Sequence, residues 1–164
     1  NVTLEGNGLT LIGNEVKIGD VAPDFTAVDN GLKPVKLSDF NGKVKLISVF
    51  PSVDTGVCAS QTRKFNLEAE KLGDIQILSI SADLPFALGR FCAAEGIDKN
   101  LTLSDYKNLD FGNKYGFVIE ELRLLSRGIV VIDKNNVVQY VEYLSEITNH
   151  PDYEKAIEAA KKLV

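Results

Sequence analysis

The chain has 164 residues, of which 45% are hydrophobic and 25% charged, and its formal net charge is −5. These values suit one domain over residues 1–164 with a single core. They exclude a strongly basic nucleic-acid-binding or membrane-surface protein, and no apolar run is long enough to span a bilayer. Two cysteines and one histidine are too few for a disulfide-stapled secreted domain or a structural zinc site. No secretory signal is visible, although a start at Asn1 leaves N-terminal processing open.

The first third of the chain has the pattern of short strands separated by turns. Three extended pieces alternate with glycine-containing turns near the N-terminus, at 2–4, 9–12 and 15–17. Glycine turns between extended pieces predict a β-hairpin at this end of the chain. A strand at 25–28, a single helical turn within 38–43 and a buried strand at 44–50 are expected next.

The rest of the chain alternates helical and extended patterns. Helices are expected at four places, which are 58–73, 84–95, 108–115 and 153–163. Strands are expected at 75–81, 101–103, 128–133 and 137–143, and the last two form a hairpin with an Asp/Asn turn. This order predicts an α/β fold, in which a mixed sheet is flanked by helices and preceded by the N-terminal β-hairpin.

Local signals also indicate where the two central helices begin and end. The apolar seam of the first helix is expected to comprise Cys58, Thr62, Phe65, Ala69 and Leu72. Asp54 is expected to cap this helix and Asp83 the next one. Pro85 in the first turn and Gly96 at the end complete the second helix.

A cysteine stands where the buried strand 44–50 gives way to a helix. The stretch 51–58 reads Pro-Ser-Val-Asp-Thr-Gly-Val-Cys, and the chain has no Cys-x-x-Cys pair for a thioredoxin-type centre. The positive end of a helix dipole stabilises a thiolate over a thiol, which would make Cys58 a nucleophile. A buried cysteine is more often a small apolar core residue, so the residues alone are compatible with either role for Cys58.

Three sequence blocks resemble one family. Pro51, Thr55 and Cys58 fit the Pro-x-x-x-Thr-x-x-Cys signature of the peroxiredoxins. The longer string 50–58, the block 79–96 and the block 146–153 resemble the bacterial thiol peroxidases, a group of atypical two-cysteine peroxiredoxins. The resemblance covers essentially the whole chain. It implies a thioredoxin-like fold with an N-terminal extension, and a thiol-dependent peroxidase.

The resemblance also implies a role for each site residue. Cys58 would attack peroxide, with Pro51 and Thr55 around it, and Arg127 would be the active-site arginine. Cys92 would resolve the oxidised cysteine by forming a Cys58–Cys92 disulfide within the chain. The family implies thioredoxin as the reductant, a homodimer, a cytoplasmic location, and no metal or cofactor. From spacing alone, Arg127 is a strand-end charge in water, and His150 is expected to be a loop residue.

The disulfide poses a geometric difficulty. Both cysteines fall within predicted helices, whereas a disulfide requires Cα atoms within about 7 Å of each other. We therefore expect at least one helix to unwind or shift on oxidation, eased by Gly56 and Gly89. Two other functions remain open from the sequence. They are an exported domain with a permanent disulfide, and a binding protein regulated by oxidation of Cys58.

Overall fold

A computed structural model describes residues 1–97 and 100–164, without the side chains of Ala69, Glu70 and Leu72. The strands are β1 (Val2–Leu4), β2 (Asn7–Leu9), β3 (Leu11–Ile12), β4 (Thr26–Val28), β5 (Pro34–Lys36), β6 (Val44–Val49), β7 (Ile75–Ser81), β8 (Leu101–Ser104), β9 (Val118–Ile119), β10 (Leu124–Leu125), β11 (Gly128–Ile132) and β12 (Val138–Tyr143). The helices are α1 (Gly56–Leu72), α2 (Pro85–Glu95), α3 (Asp110–Tyr115) and α4 (Tyr153–Lys161), with a 3₁₀ turn at Leu37–Phe40.

The central sheet is mixed and runs in the order β12-β11-β6-β7-β8-β4-β5. β6, β7 and β8 pair in parallel, whereas β11 is antiparallel to both β6 and β12. All six residues of β6 are buried, because apolar layers cover both faces of the sheet. One layer contains residues of α1 and α4 and the other contains residues of α3. The predicted α/β sheet flanked by helices is confirmed.

The buried face of α1 follows the predicted seam as far as the structure describes it. Cys58, Thr62 and Phe65 are all fully buried. The side chains of Ala69 and Leu72, the last two members of the predicted seam, lie outside the described residues. Because these residues recur every three or four positions, they lie on one side of α1, and that side faces the sheet.

Two predicted helix caps are wrong. Thr55, rather than Asp54, is the N-cap residue of α1, and Leu84, rather than Asp83, is that of α2. The carboxylate of Asp83 is already engaged, because it accepts hydrogen bonds from the Ser52 hydroxyl (2.7 Å) and the Val53 N–H (2.9 Å). Pro85 in the first turn of α2 and Gly96 at its end are confirmed.

The N-terminal region is only partly as predicted. β1 and β2 form the expected antiparallel hairpin, which we call the N-terminal hairpin. β3 does not extend it but pairs with β9, which also pairs with β10. The extended piece expected at 15–17 is not part of a strand. The Val16 N–H donates to the Tyr143 hydroxyl (2.9 Å), so a side chain takes the place of a strand partner.

The site lies where the parallel strand β6 ends and α1 begins. Gly128 of β11 pairs with Val49 of β6, which brings the residues just before β11 to the same edge. α/β sheets commonly have their functional sites at the carboxyl ends of parallel strands. Across the described part of the chain, no helix combines the length and the apolar character needed to cross a membrane.

Candidate active site

Cys58 lies in the first turn of α1, as predicted, and its side chain has no exposed surface. The sulfur accepts a hydrogen bond from Arg127 Nη2 at 3.0 Å. The remaining neighbours form a small apolar cluster, made of Phe50, Val53, Leu88 and the partly buried Phe91. The site therefore holds the sulfur at a helix N-terminus, away from bulk water and beside a cation.

Arg127 is buried, with 2% of its surface exposed, and its guanidinium has three partners among the described residues. Nε donates to the Ile147 carbonyl oxygen (2.7 Å), Nη1 to Gln61 Oε1 (2.9 Å) and Nη2 to Cys58 Sγ. Of these partners, the sulfur is the one that can become an anion. The Cys58 sulfur therefore lies beside a buried cation whose other two partners are neutral oxygens.

Gln61 is a site residue that the sequence prediction missed. Its amide nitrogen donates to Ser48 Oγ (2.6 Å) and to the Val49 carbonyl oxygen (3.2 Å), which directs its amide oxygen toward Arg127. The side chain is completely buried. A signal was present in the sequence, since Gln61 is a polar residue three positions after Cys58, next to the apolar seam of the helix.

Pro51 and Thr55 border an open cavity beside Arg127. Pro51 is buried, whereas Thr55 is exposed and its hydroxyl donates to the Ser52 carbonyl oxygen (3.1 Å). The cavity has a volume of about 220 Å³ and a mostly apolar wall. Its apolar lining comes from Leu4, Pro51, Val57, Leu122, Leu124 and Ile147. Arg127 also reaches this cavity, so a molecule bound there would lie near the Cys58 site.

Cys92 is half-buried on α2, next in the chain to Phe91 of the apolar cluster around Cys58. Its sulfur is 3.3 Å from Thr102 Oγ1, and the Thr102 hydroxyl donates to Asn30 Oδ1 (3.0 Å). Because that hydroxyl has only one hydrogen, the Cys92 thiol is the donor in its contact with Thr102. Both cysteines are free thiols.

Tyr153 and His150 lie at the outer edge of the site. His150 is an exposed loop residue, as predicted, and its Nδ1 is 2.9 Å from the Tyr153 hydroxyl. Burial raises the pKa of Tyr153, while the charge of Arg127 acts to lower it and that of Cys58 to raise it. Tyr153 therefore lies within electrostatic reach of the site, which the sequence did not indicate.

The Redoxin family model matches residues 17–157, a span that includes Cys58, Cys92 and Arg127. The chain belongs to the redoxin family. Two relatives, from Halalkalibacterium halodurans and Bacillus subtilis, are named thiol peroxidase. The first is 60% identical over 161 residues, with coverage of 98% of this chain and 97% of the relative. The second is 58% identical over 163 residues, with coverage of 99% and 98%. This similarity confirms the resemblance to the thiol peroxidases.

Solved structures of this family have the same fold. A peroxiredoxin-like protein from Aquifex aeolicus matches with a TM-score of 0.93 at 36% identity, covering 99% of this chain and 96% of that chain. A thiol peroxidase from Chromobacterium violaceum matches with a TM-score of 0.87 at 27% identity, covering 98% and 95%. The thioredoxin-like fold with its N-terminal extension is thereby confirmed for this redoxin.

Proposed function

We propose that this chain is a thiol-dependent peroxidase whose attacking group is the Cys58 thiolate. The observation that carries the proposal is the 3.0 Å contact between Arg127 Nη2 and the buried Cys58 sulfur. Nucleophilic attack on peroxide requires a thiolate and stabilisation of the charge that develops on oxygen. The relatives named thiol peroxidase, at about 60% identity over nearly the whole chain, support the same activity.

In the first step, the thiolate attacks the terminal oxygen of a hydroperoxide. The S–O bond forms as the O–O bond breaks, and the leaving oxygen departs with the electron pair and takes up a proton. The products are a sulfenic acid on Cys58 and water or an alcohol, so sulfur is oxidised and peroxide reduced by two electrons. Arg127 and the Thr55 hydroxyl would orient the peroxide oxygens, and Pro51 would shield the sulfur from water.

In the second step, the Cys92 thiolate attacks the Cys58 sulfenic acid. The S–S bond forms as the S–O bond of the sulfenic acid breaks, and the released hydroxide takes up a proton to leave as water. The product is the disulfide within one chain. Cys58 and Cys92 lie in different helices and contact different partners, and we propose that at least one helix loosens before the sulfurs meet. A dithiol, which we propose to be thioredoxin, then reduces the disulfide by thiol–disulfide exchange.

The cavity beside Arg127 bears on the substrate. Its apolar wall fits the alkyl part of an organic hydroperoxide, while hydrogen peroxide is small enough to need no such wall. We therefore propose that both classes are substrates. A cytoplasmic location, a single domain over residues 1–164 and a homodimer follow from the family resemblance and remain part of this proposal.

A peroxidase assay coupled to thioredoxin and thioredoxin reductase tests this function. Cys58→Ser should abolish turnover of hydrogen peroxide and of a bulky alkyl hydroperoxide. Cys92→Ser should still react once, and should then recycle slowly or over-oxidise at Cys58. An inactive wild-type protein whose two serine variants only lose stability would instead indicate a structural disulfide. An inactive wild type in which Cys58 oxidation changes a binding partner would indicate a redox-regulated binding protein.

A further inference from the structure

We propose that Glu146 is a positioning residue for Arg127, because it fastens the N-terminal hairpin to the segment 144–148 that holds the guanidinium. Glu146 Oε1 accepts hydrogen bonds from the Thr3 hydroxyl (2.8 Å) and the Gly6 N–H (2.9 Å). Oε2 accepts from the Glu5 N–H (3.2 Å) and from both the N–H (2.9 Å) and the hydroxyl (2.6 Å) of Thr148. One carboxylate therefore joins two parts of the chain that are far apart in sequence.

The segment 144–148 contacts Arg127 at two points. The Leu144 N–H donates to the Arg127 carbonyl oxygen (3.0 Å), and the Ile147 carbonyl oxygen accepts from Arg127 Nε (2.7 Å). The first contact fixes the arginine backbone and the second fixes its side chain. Glu146 is adjacent to Ile147 in the chain, so its attachment governs where the Ile147 carbonyl oxygen lies.

The N-terminal hairpin supports this segment from the other side. The Thr3 N–H donates to the Ser145 carbonyl oxygen (2.7 Å), and the Ile147 N–H donates to the Thr3 carbonyl oxygen (2.9 Å). These bonds lie on either side of Glu146 in a short parallel bridge. Val2 and Ile147 are buried in one apolar cluster, so backbone bonds, side-chain bonds and packing all act between the same two segments.

The guanidinium depends on this support because, among the described residues, the Ile147 carbonyl oxygen is the partner of its Nε donor. Nη1 and Nη2 bond to Gln61 and Cys58, and Nε bonds to the Ile147 carbonyl oxygen. A shift of that carbonyl would rotate the planar guanidinium and misdirect the donor that faces the sulfur. Misplacement of a catalytic group by about 1 Å can cost up to roughly 100-fold in rate.

The charge of Glu146 persists under ordinary conditions. Hydrogen bonds from the Thr148 side chain, the Gly6 and Thr148 N–H groups and the Thr3 side chain hold the pKa of Glu146 well below its usual range. An ionised carboxylate accepts on both oxygens, whereas a glutamine amide offers one acceptor oxygen. Glu146→Gln should therefore keep one side of the attachment and lose the other.

Glu121 provides a matched control. Its carboxylate also holds the N-terminal region, since it accepts from the Thr10 N–H (2.9 Å) and the Thr10 hydroxyl (2.9 Å). It therefore fastens Thr10, just after the N-terminal hairpin, to the turn between β9 and β10 rather than to the segment 144–148. Glu121→Ala should loosen the N-terminal region without reaching Arg127.

The test compares Glu146→Ala, Glu146→Gln and Glu121→Ala in the full chain. Stopped-flow oxidation of Cys58 by hydrogen peroxide should slow by roughly 10-fold in Glu146→Ala. It should slow by a smaller factor in Glu146→Gln and stay unchanged in Glu121→Ala. In NMR spectra, the Arg127 Nε–H resonance should shift in both Glu146 variants and not in the control. If Glu146→Ala does not fold, the glutamine variant carries the comparison.

This inference rests on the proposed function, and its failure is distinguishable from failure of that function. If the wild type reduces peroxide and Glu146→Ala matches it in rate and in the Arg127 resonance, only the positioning role is overturned. Equal losses in Glu146→Ala and Glu121→Ala would also overturn it, because general loosening would then explain both. If the wild type fails to reduce peroxide, alkylation of Cys58 by iodoacetamide still decides the positioning role, since it should slow in Glu146→Ala alone.

Discussion

The surroundings of the two cysteines differ sharply. Cys58 is fully buried, lies in the first turn of a 17-residue helix and receives a hydrogen bond from a buried guanidinium. Cys92 is half-buried on an 11-residue helix, and its thiol donates to the neutral hydroxyl of Thr102. The Cys58 sulfur therefore lies beside a buried cation, whereas the Cys92 sulfur lies beside a neutral hydroxyl.

The helix that carries Cys92 is only weakly held by buried contacts. Only Pro85 and Leu88 are buried among the residues of α2, and Phe86 is 68% exposed. An exposed ion pair between Arg63 and Glu95 (3.2 Å) joins α2 to α1, and such pairs contribute little stability. Elements with few buried apolar contacts open at low free-energy cost. We therefore expect α2 to be the helix that loosens when Cys58 is oxidised.

The largest expected effect comes from changing the guanidinium that distinguishes the Cys58 site. Arg127→Lys keeps a positive charge but loses the fork that bonds Ile147, Gln61 and Cys58 together. We expect the rate constant for Cys58 oxidation by hydrogen peroxide to fall by roughly 100- to 1,000-fold. Stopped-flow measurement checks this, with the exposed Arg90→Lys as the control. A loss below about 10-fold would show that charge alone suffices.

A smaller effect is expected at Gln61. Gln61→Leu removes the acceptor of Arg127 Nη1 and the donor to the Val49 carbonyl oxygen, both in the buried interior. The free energy of unfolding should fall by about 1–3 kcal/mol, because buried polar groups lose their partners. The oxidation rate of Cys58 should fall by roughly 10-fold as the arginine loses a contact. Urea unfolding and stopped-flow kinetics measure the two effects, with the exposed Gln139→Leu as control.

A change beside Cys92 should speed a step of the reaction rather than slow it. Thr102→Val keeps the shape of the side chain but removes the hydroxyl that accepts from the Cys92 thiol and donates to Asn30. Stability should fall by about 1 kcal/mol, whereas disulfide formation after oxidation should become a few-fold faster. Quenched-flow trapping of the disulfide measures this rate, and the exposed Thr26→Val serves as control. Slower disulfide formation would mean that Thr102 assists the attack by Cys92 rather than holding its thiol in the resting position.

Asp105 provides a pH effect that should leave both cysteines unchanged. Burial raises its pKa to about 6, against hydrogen bonds from the Gly112 and Phe111 N–H groups that act to lower it. The folded state therefore binds a proton more tightly than the unfolded state, for which the ordinary pKa is 3.8. The resulting stability is fully present below that value and is lost as the pH rises through about 6.

Comparison with Asp105→Asn isolates this pH dependence. Between about pH 4 and pH 7, the unfolding free energy of the wild type should decrease relative to that of the variant, by roughly 1–3 kcal/mol. Urea unfolding at several pH values measures the difference. Equal pH profiles would contradict the assignment to Asp105. A changed rate of Cys58 oxidation in the variant would show that this region and the cysteine site are coupled.

Local sequence patterns were enough to locate half of the candidate site. The strand-to-helix corner with Pro51, Thr55 and Cys58 follows from a short contiguous pattern, and the helix begins there as expected. Arg127 was a candidate only through the family resemblance, because its contact with Cys58 spans 69 positions and depends on the pairing of β11 with β6. Glu146 depends on a contact with the N-terminal hairpin that no local pattern reveals.

The errors in the fold prediction have a common physical cause. Val16 lies in an extended piece whose partner is the Tyr143 hydroxyl rather than a strand. Asp83 is a residue type that often caps helices, but its carboxylate accepts hydrogen bonds from Ser52 and Val53 in the loop after β6. In both cases a long-range hydrogen bond replaces the local one that the pattern predicted.

The most direct test compares amide hydrogen exchange in the reduced protein with that in its disulfide form. It shows whether α2 opens to release Cys92 while α1 keeps Cys58 in place. We expect α2 to be less protected than α1 in the reduced protein and to lose most of its remaining protection once the disulfide forms. The buried strand β6 should stay protected in both states. A disulfide form in which α1 and α2 both keep their full protection would contradict this mechanism, because the two sulfurs would then have met without either helix loosening.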